Sequence, residues 1–111
     1  QYDGNGNADG TFVHTGFKVG WLLVKQLDSA DNWQLVDNKR DTTNLVETFI
    51  MPDSSAAETT HANNIKCDFL SNGFKMRQTN SVVNGNNNHY FYLAFAETPF
   101  VTSTGVPTTA V

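Results

Sequence analysis

Apolar and polar residues alternate along much of this chain with a period of two, the period of a half-buried β-strand, because successive side chains point to opposite faces. The clearest run is Ile65 to Gln78. There Cys67, Phe69, Phe74 and Met76 alternate with Lys66, Asp68, Lys75 and Arg77 around a turn-like Ser71-Asn72-Gly73. From Tyr90 to Ala96 the pattern changes, and almost every residue is apolar or aromatic. That predicts a strand covered on both faces, at the centre of a packed sheet. Between the two runs, Asn84-Gly85 has the chemistry of a type I′ turn. If it is the turn, Phe74 falls opposite Phe95, Met76 opposite Leu93 and Gln78 opposite Phe91; Asn80 to Asn88 serves equally as a longer loop with no ladder at its tip.

Further strands are predicted over Thr11 to Phe17, Val19 to Leu27, Trp33 to Val36 and Leu45 to Met51, the last ended by Pro52. Residues 28–32 have the length of a hairpin connection. In the second of these strands Trp21, Leu23, Lys25 and Leu27 share one face and Leu22, Val24 and Gln26 the other, with Trp21 expected in the core. Residues 53–64 can supply one helical turn and no more. No long helical pattern occurs, so the fold class is all-β: an antiparallel β-sandwich, jelly-roll-like, of six or seven short strands. The expected organisation is a loop or linker over residues 1–10, a sandwich domain over 11–100 and an extended tail over 101–111, where Pro107 disfavours a central strand. A chain opening on Gln1 is expected to be a piece of a longer polypeptide.

Composition narrows the function. With 111 residues the chain can bury roughly 65% of the surface it exposes when unfolded, enough for a core without disulfides. Charged residues make up only 16%, with Asn, Thr, Ser and Gly taking their place, as suits strands joined by turns. The net charge is −4 and Lys and Arg are scattered singly, which argues against nucleic acid as a partner. Membrane insertion is not expected either, since the apolar runs are too short to cross a bilayer and no basic amphipathic helix is present. The single Cys67 reads as a small buried hydrophobe, in a protein folded in a reducing compartment or one that simply does without a disulfide.

Candidate chemistry is sparse. Asp3, Asn5, Asn7 and Asp9 alternate like half of a calcium loop, yet Ala8 stands where a sharp-turn glycine belongs and His14 where a bidentate Glu belongs. These four are weak metal candidates, and no cofactor is expected. His14, His61 and His89 lack metal-ligand spacing. Asp68 and Glu97 are the one carboxylate pair to consider for glycoside hydrolysis. Trp21, Trp33, Tyr90 and Tyr92 offer flat faces suited to sugar rings. Trp33, beside the polar Asp31 and Asn32, is the best placed for exposure, and these three residues with Tyr90 are the candidates for carbohydrate or receptor contact.

Several segments carry a resemblance. WLLVK at Trp21 to Lys25, DSADNW at Asp28 to Trp33, Asp37 with Arg40, SAAE at Ser55 to Glu58, DFLSNGFKMR at Asp68 to Arg77, and YFYLAFAETPF at Tyr90 to Phe100 are similar to a family of small β-sandwich modules. Those modules occur in tail, fibre and other structural proteins of bacteriophages, many of them marine. The final VTSTGVPTTAV also resembles the C-terminal end of such proteins. Thr98, Cys67 and the run Asn84 to Asn88 depart from the family's usual pattern and bear on loop detail. The resemblance implies a virion component, folded in the host cytoplasm and without catalysis. Its partners would be other virion proteins and itself, as a homo-oligomer such as a homotrimer, with a host surface glycan as a further contact. The alternative is a carbohydrate-binding module attached to an enzyme or adhesin.

Overall fold

The computed structural model describes residues 1–97, so the tail expected over 101–111 and the end of the domain expected at 100 lie outside the described residues. Seven strands form two antiparallel sheets: β1 (Tyr2–Asp3), β2 (Phe12–His14), β3 (Val19–Gln26), β4 (Gln34–Asp37), β5 (Cys67–Leu70), β6 (Gly73–Met76) and β7 (His89–Ala96). One sheet has the order β1-β7-β3-β4 and the other β2-β6-β5. The all-β sandwich follows from the alternating pattern: each sheet turns one set of side chains inward. β3 supplies Leu22 and Val24 to the core, β4 Val36, β5 Cys67 and Phe69, and β6 Phe74 and Met76. Phe74 ties the two layers, its ring meeting Tyr2 edge-on at 5.9 Å and Tyr92 at 5.3 Å between centroids. Full burial of such a ring stabilises the fold by about 1.5–3 kcal/mol.

Local pairings match the sequence pattern. β3 and β4 form a hairpin with Leu23 opposite Leu35, and β5 and β6 form another with Phe69 opposite Phe74. The long-range arrangement corrects several expectations. β6 and β7 lie in different sheets, so Phe74 does not pair with Phe95, nor Met76 with Leu93. β7 instead pairs with β3, setting Phe95 opposite Trp21 and Leu93 opposite Leu23. Nor is β7 covered on both faces: Tyr90 is buried, while Phe91, Leu93 and Phe95 are each 40% exposed. Trp21, expected in the core, points outward with them, its ring 5.1 Å from that of Phe95.

Residues 1–10 hold β1 and then a loop over residues 4–10. Tyr2 pairs with Tyr90 and stacks on its ring at 5.0 Å, while its hydroxyl donates to the Val83 carbonyl at 2.7 Å. The loop after β1 is then fastened by Asn84, which the turn reading had placed at a hairpin tip and which is fully buried. Its amide nitrogen donates to Asn5 Oδ1, the Asn7 carbonyl and the Gln78 carbonyl, and its oxygen accepts from the Asn5 N–H. Gly4 packs so tightly here that a Cβ would come within 2.2 Å of the Gly85 carbonyl oxygen. Residues 53–64 are irregular loop between two short turns, with a bridge at Thr59 and no helical turn. Leu45 to Met51 makes isolated bridges, Val46 with Cys67, Leu35 with Ile50 and Phe49 with Thr59, instead of a strand.

Candidate functional site

The outward face of the four-stranded sheet concentrates the unexplained apolar residues. Reading across β4, β3 and β7, one row holds Asp37, Trp21 and Phe95 and the next holds Leu35, Leu23 and Leu93. Trp33, one residue before β4, extends the register opposite Lys25 and Phe91, with its ring 6.0 Å from Phe91 in edge contact. Seven of these nine outward positions are apolar, in a place where a sandwich normally presents polar side chains. Ile50 bridges Leu35 and continues the middle row. At 40% exposure, Phe91, Leu93 and Phe95 alone put on the order of 200 Å² into solvent, before Trp21, Trp33 and Leu35 are counted. Contiguous patches of this kind mark contact sites.

The outer side of the other sheet contrasts with it. It carries Lys75 and Arg77, which pair with Asp9 and Asp68, and its one large exposed apolar side chain is Phe12.

One end of the apolar face is hollowed. Leu23, Trp33, Pro52 and Asp53 line an open depression of about 300 Å³. Asp53 accepts from the Trp33 N–H at 3.3 Å and from Asn32 Nδ2 at 3.2 Å, which fixes its carboxylate at the rim. Nearby, Asp28 accepts from the His89 backbone N–H at 2.6 Å and meets the His89 ring at 3.2 Å. The backbone hydrogen bond, with smaller help from the ring, holds the Asp28 carboxyl below the usual carboxylate range.

The sequence candidates are thus divided. Trp33 and Asn32 come together with Asp53 at this end of the face, Trp33 half-buried and Asn32 exposed, while the half-buried Asp31 turns its carboxylate toward the buried Gln26 amide. Tyr90 does not join them: it is fully buried on the opposite side of the sheet, where its hydroxyl accepts from the Gly85 N–H and donates to the Ser81 carbonyl. Asp53, Leu35 and the outward β7 residues were missed. For β7 a signal existed: the hydroxyl-bearing and small residues, Tyr90, Tyr92, Ala94 and Ala96, occupy one parity and the wholly apolar Phe91, Leu93 and Phe95 the other.

The remaining candidates are spent on structure. Asp9 pairs with Lys75 at 2.6 Å, and that hydrogen bond and charge hold its carboxyl below the usual range. Asn5 and Asn7 use their side-chain oxygens on the backbone N–H groups of Asn7 and Asp9, so with Asp3 over at His89 the four alternating residues do not converge. Among the described residues, no group of three or more His, Cys, Asp or Glu could hold a metal ion. Asp68 lies in β5 and Glu97 just past the end of β7 in the other sheet, paired with Arg77 at 2.8 Å and Lys18 at 3.1 Å. Cys67 is buried, and burial pushes its thiol well above the ordinary range. No helix among the described residues is long and apolar enough to cross a membrane.

A family model for a domain of unknown function, DUF7483, matches residues 1–99. The chain belongs to that family. The match includes the first ten residues, which β1 and Asn84 fasten to the DUF7483 sandwich. No curated protein and no solved structure matches the chain.

Proposed function

We propose that this DUF7483 domain is a contact module of a larger assembly and works without catalysis, docking through the outward face of β3, β4 and β7. The observation that carries the reading is the apolar identity of seven of nine outward positions on a sheet whose inner face already supplies the core. Interface centres are apolar and aromatic with a polar rim, and they need no reactive group. The resemblance to bacteriophage tail and fibre modules supplies the setting: a virion subunit in a homo-oligomer such as a trimer, outside the cell once assembled, with host-receptor contact as a further role. Nested pairing of β1 with β7 and of β2 with β6 supports a jelly-roll derivation of the sandwich, from which the β3–β4 hairpin departs.

The test is Leu93→Glu in the full-length protein that carries the domain, with its incorporation into the assembly beside the other virion proteins followed by sedimentation. Leu93→Glu should keep the β-sheet circular dichroism signal and lower the assembled fraction at least tenfold. Phe12→Ser, at the 42% exposed aromatic of the opposite sheet, should leave assembly unchanged. Equal effects of the two, or none from Leu93→Glu, would remove the face from assembly.

A second reading, a carbohydrate-binding module, is favoured by one observation, the half-buried Trp33 at an open depression with Asp53 at its rim and Asn32 beside it. Saturable binding on a glycan array, lost in a folded Trp33→Ala variant, would select it.

A further inference from the structure

Charge is distributed unevenly over this molecule, and the imbalance falls beside the apolar face. Among the described residues, six of the eleven carboxylates meet a Lys or Arg: Asp9, Asp37, Glu47, Glu58, Asp68 and Glu97. Of the five that do not, Asp41 is taken up by the N–H groups of Glu47 and Thr48. The other four, Asp3, Asp28, Asp31 and Asp53, all sit where β3 runs toward β4 and β7 begins. The cations at that end leave Asp53 unmatched. Lys25 turns its ammonium into the carbonyls of Gln26 and Ser29, and His89 lies between Asp28 and Asp3.

We propose that the partner accepted by this face is a different protein, presenting a Lys or Arg side chain to the depression and apolar side chains to the Leu35, Leu23 and Leu93 row. The inference rests on the docking face proposed above and names its partner's chemistry. The floor of Leu23 and Pro52 suits the aliphatic stem of such a side chain, the face of Trp33 its cation, and the fixed Asp53 carboxylate its N–H donors. A neutral sugar would find a single acceptor over an apolar floor, whereas sugar hydroxyls need several polar groups converging on them. A second copy of this chain is a poor match: besides Lys25, whose ammonium is taken by backbone carbonyls, Lys39 is its one Lys or Arg without a carboxylate partner among the described residues.

The experiment titrates the 111-residue chain with three matched ten-residue peptides alternating Val with Arg, with Gln or with Glu. Binding is read from tryptophan fluorescence and from NMR shifts of the Trp33 indole. The Arg peptide should bind at least tenfold tighter than the Gln peptide, with the Glu peptide weakest and added salt narrowing the difference. Asp53→Asn, which keeps an acceptor for the Trp33 N–H, should remove the preference for Arg while leaving the melting temperature unchanged. Failure of the Arg peptide to bind, equal binding of Arg and Gln peptides, or an unchanged preference in Asp53→Asn would overturn the basic partner. So would self-association of the free chain through Leu93, or oligosaccharide binding in place of peptide binding. Equal binding of all three peptides that disappears on Leu93→Ser would leave the docking face standing and remove the basic partner alone; peptide binding indifferent to Leu93→Ser would remove both.

Discussion

Replacing Asn84 tests the claim that one buried amide holds the N-terminal loop to the sandwich. Its two N–H groups serve three oxygens, Asn5 Oδ1 at 3.0 Å and the carbonyls of Asn7 and Gln78 at 2.9 Å each, and its oxygen accepts from the Asn5 N–H at 3.2 Å. In Asn84→Ala the Gln78 carbonyl loses this donor inside the protein, while the exposed Asn5 and the nearby Asn7 can turn to water. An orphaned buried acceptor costs about 1–3 kcal/mol and each of the three remaining bonds about 1 kcal/mol net, so the loss should be about 4–6 kcal/mol. Against a typical domain stability of about 5–15 kcal/mol this is large, and it corresponds to a melting temperature lower by about 15–30 °C. Urea unfolding followed by tryptophan fluorescence measures it. Asn84→Asp sharpens the test, because its carboxylate would face three oxygens. Its folded pKa is then raised above the unfolded value, so its deficit relative to the parent should be smallest below about pH 4 and grow toward neutrality. A loss under about 1 kcal/mol in Asn84→Ala, or a pH-independent deficit in Asn84→Asp, would refute the hub.

Two further outcomes follow from buried and paired groups. Cys67, with a thiol raised by burial, should react with a thiol reagent on the order of a hundredfold more slowly in the native protein than in guanidinium, and equal rates would contradict its place in the core. The carboxyls of Asp9 and Asp28 are depressed in the folded state, so the stability they contribute is present above about pH 4 and is lost as pH falls through their lower folded values. Melting temperatures from pH 7 down to pH 2 should fall in that acid range, less steeply in Asp28→Asn; a profile flat to pH 2 would count against both pairings.

The parts of the fold that could be read in the sequence are those whose partners are close along the chain. Ser71-Asn72-Gly73 separates two alternating runs that pair with each other, and residues 27–33 join β3 to β4. Alternation assigns faces, but it does not say which sheet a strand joins. Phe74 and Phe95 could therefore be matched across Asn84-Gly85 although Val13 and Trp21 are their true partners. A run apolar on both faces has two physical causes, cover on both sides or a face kept for another molecule, and hydrophobicity alone does not separate them. Phe91, Leu93 and Phe95 were misjudged for that reason. Trp33 was legible because polar neighbours flank it; Asp53 was not, because it comes within reach of Trp33 only through the bridge between Leu35 and Ile50.

The pairing of β1 with β7 also sets the order in which this chain can be completed. Tyr2 must wait for Tyr90, 88 positions later, and Asn5 for Asn84, so the first strand of the domain is among the last elements to gain its native neighbours. Until then the hairpins of β3 with β4 and of β5 with β6 can form from nearby contacts, while β3 keeps one edge bare. Closing so long a loop is slow and leaves apolar strand surface open to other chains during synthesis. The same tyrosine stack that seals the finished sandwich therefore makes each nascent copy vulnerable to its neighbours until Tyr90 emerges.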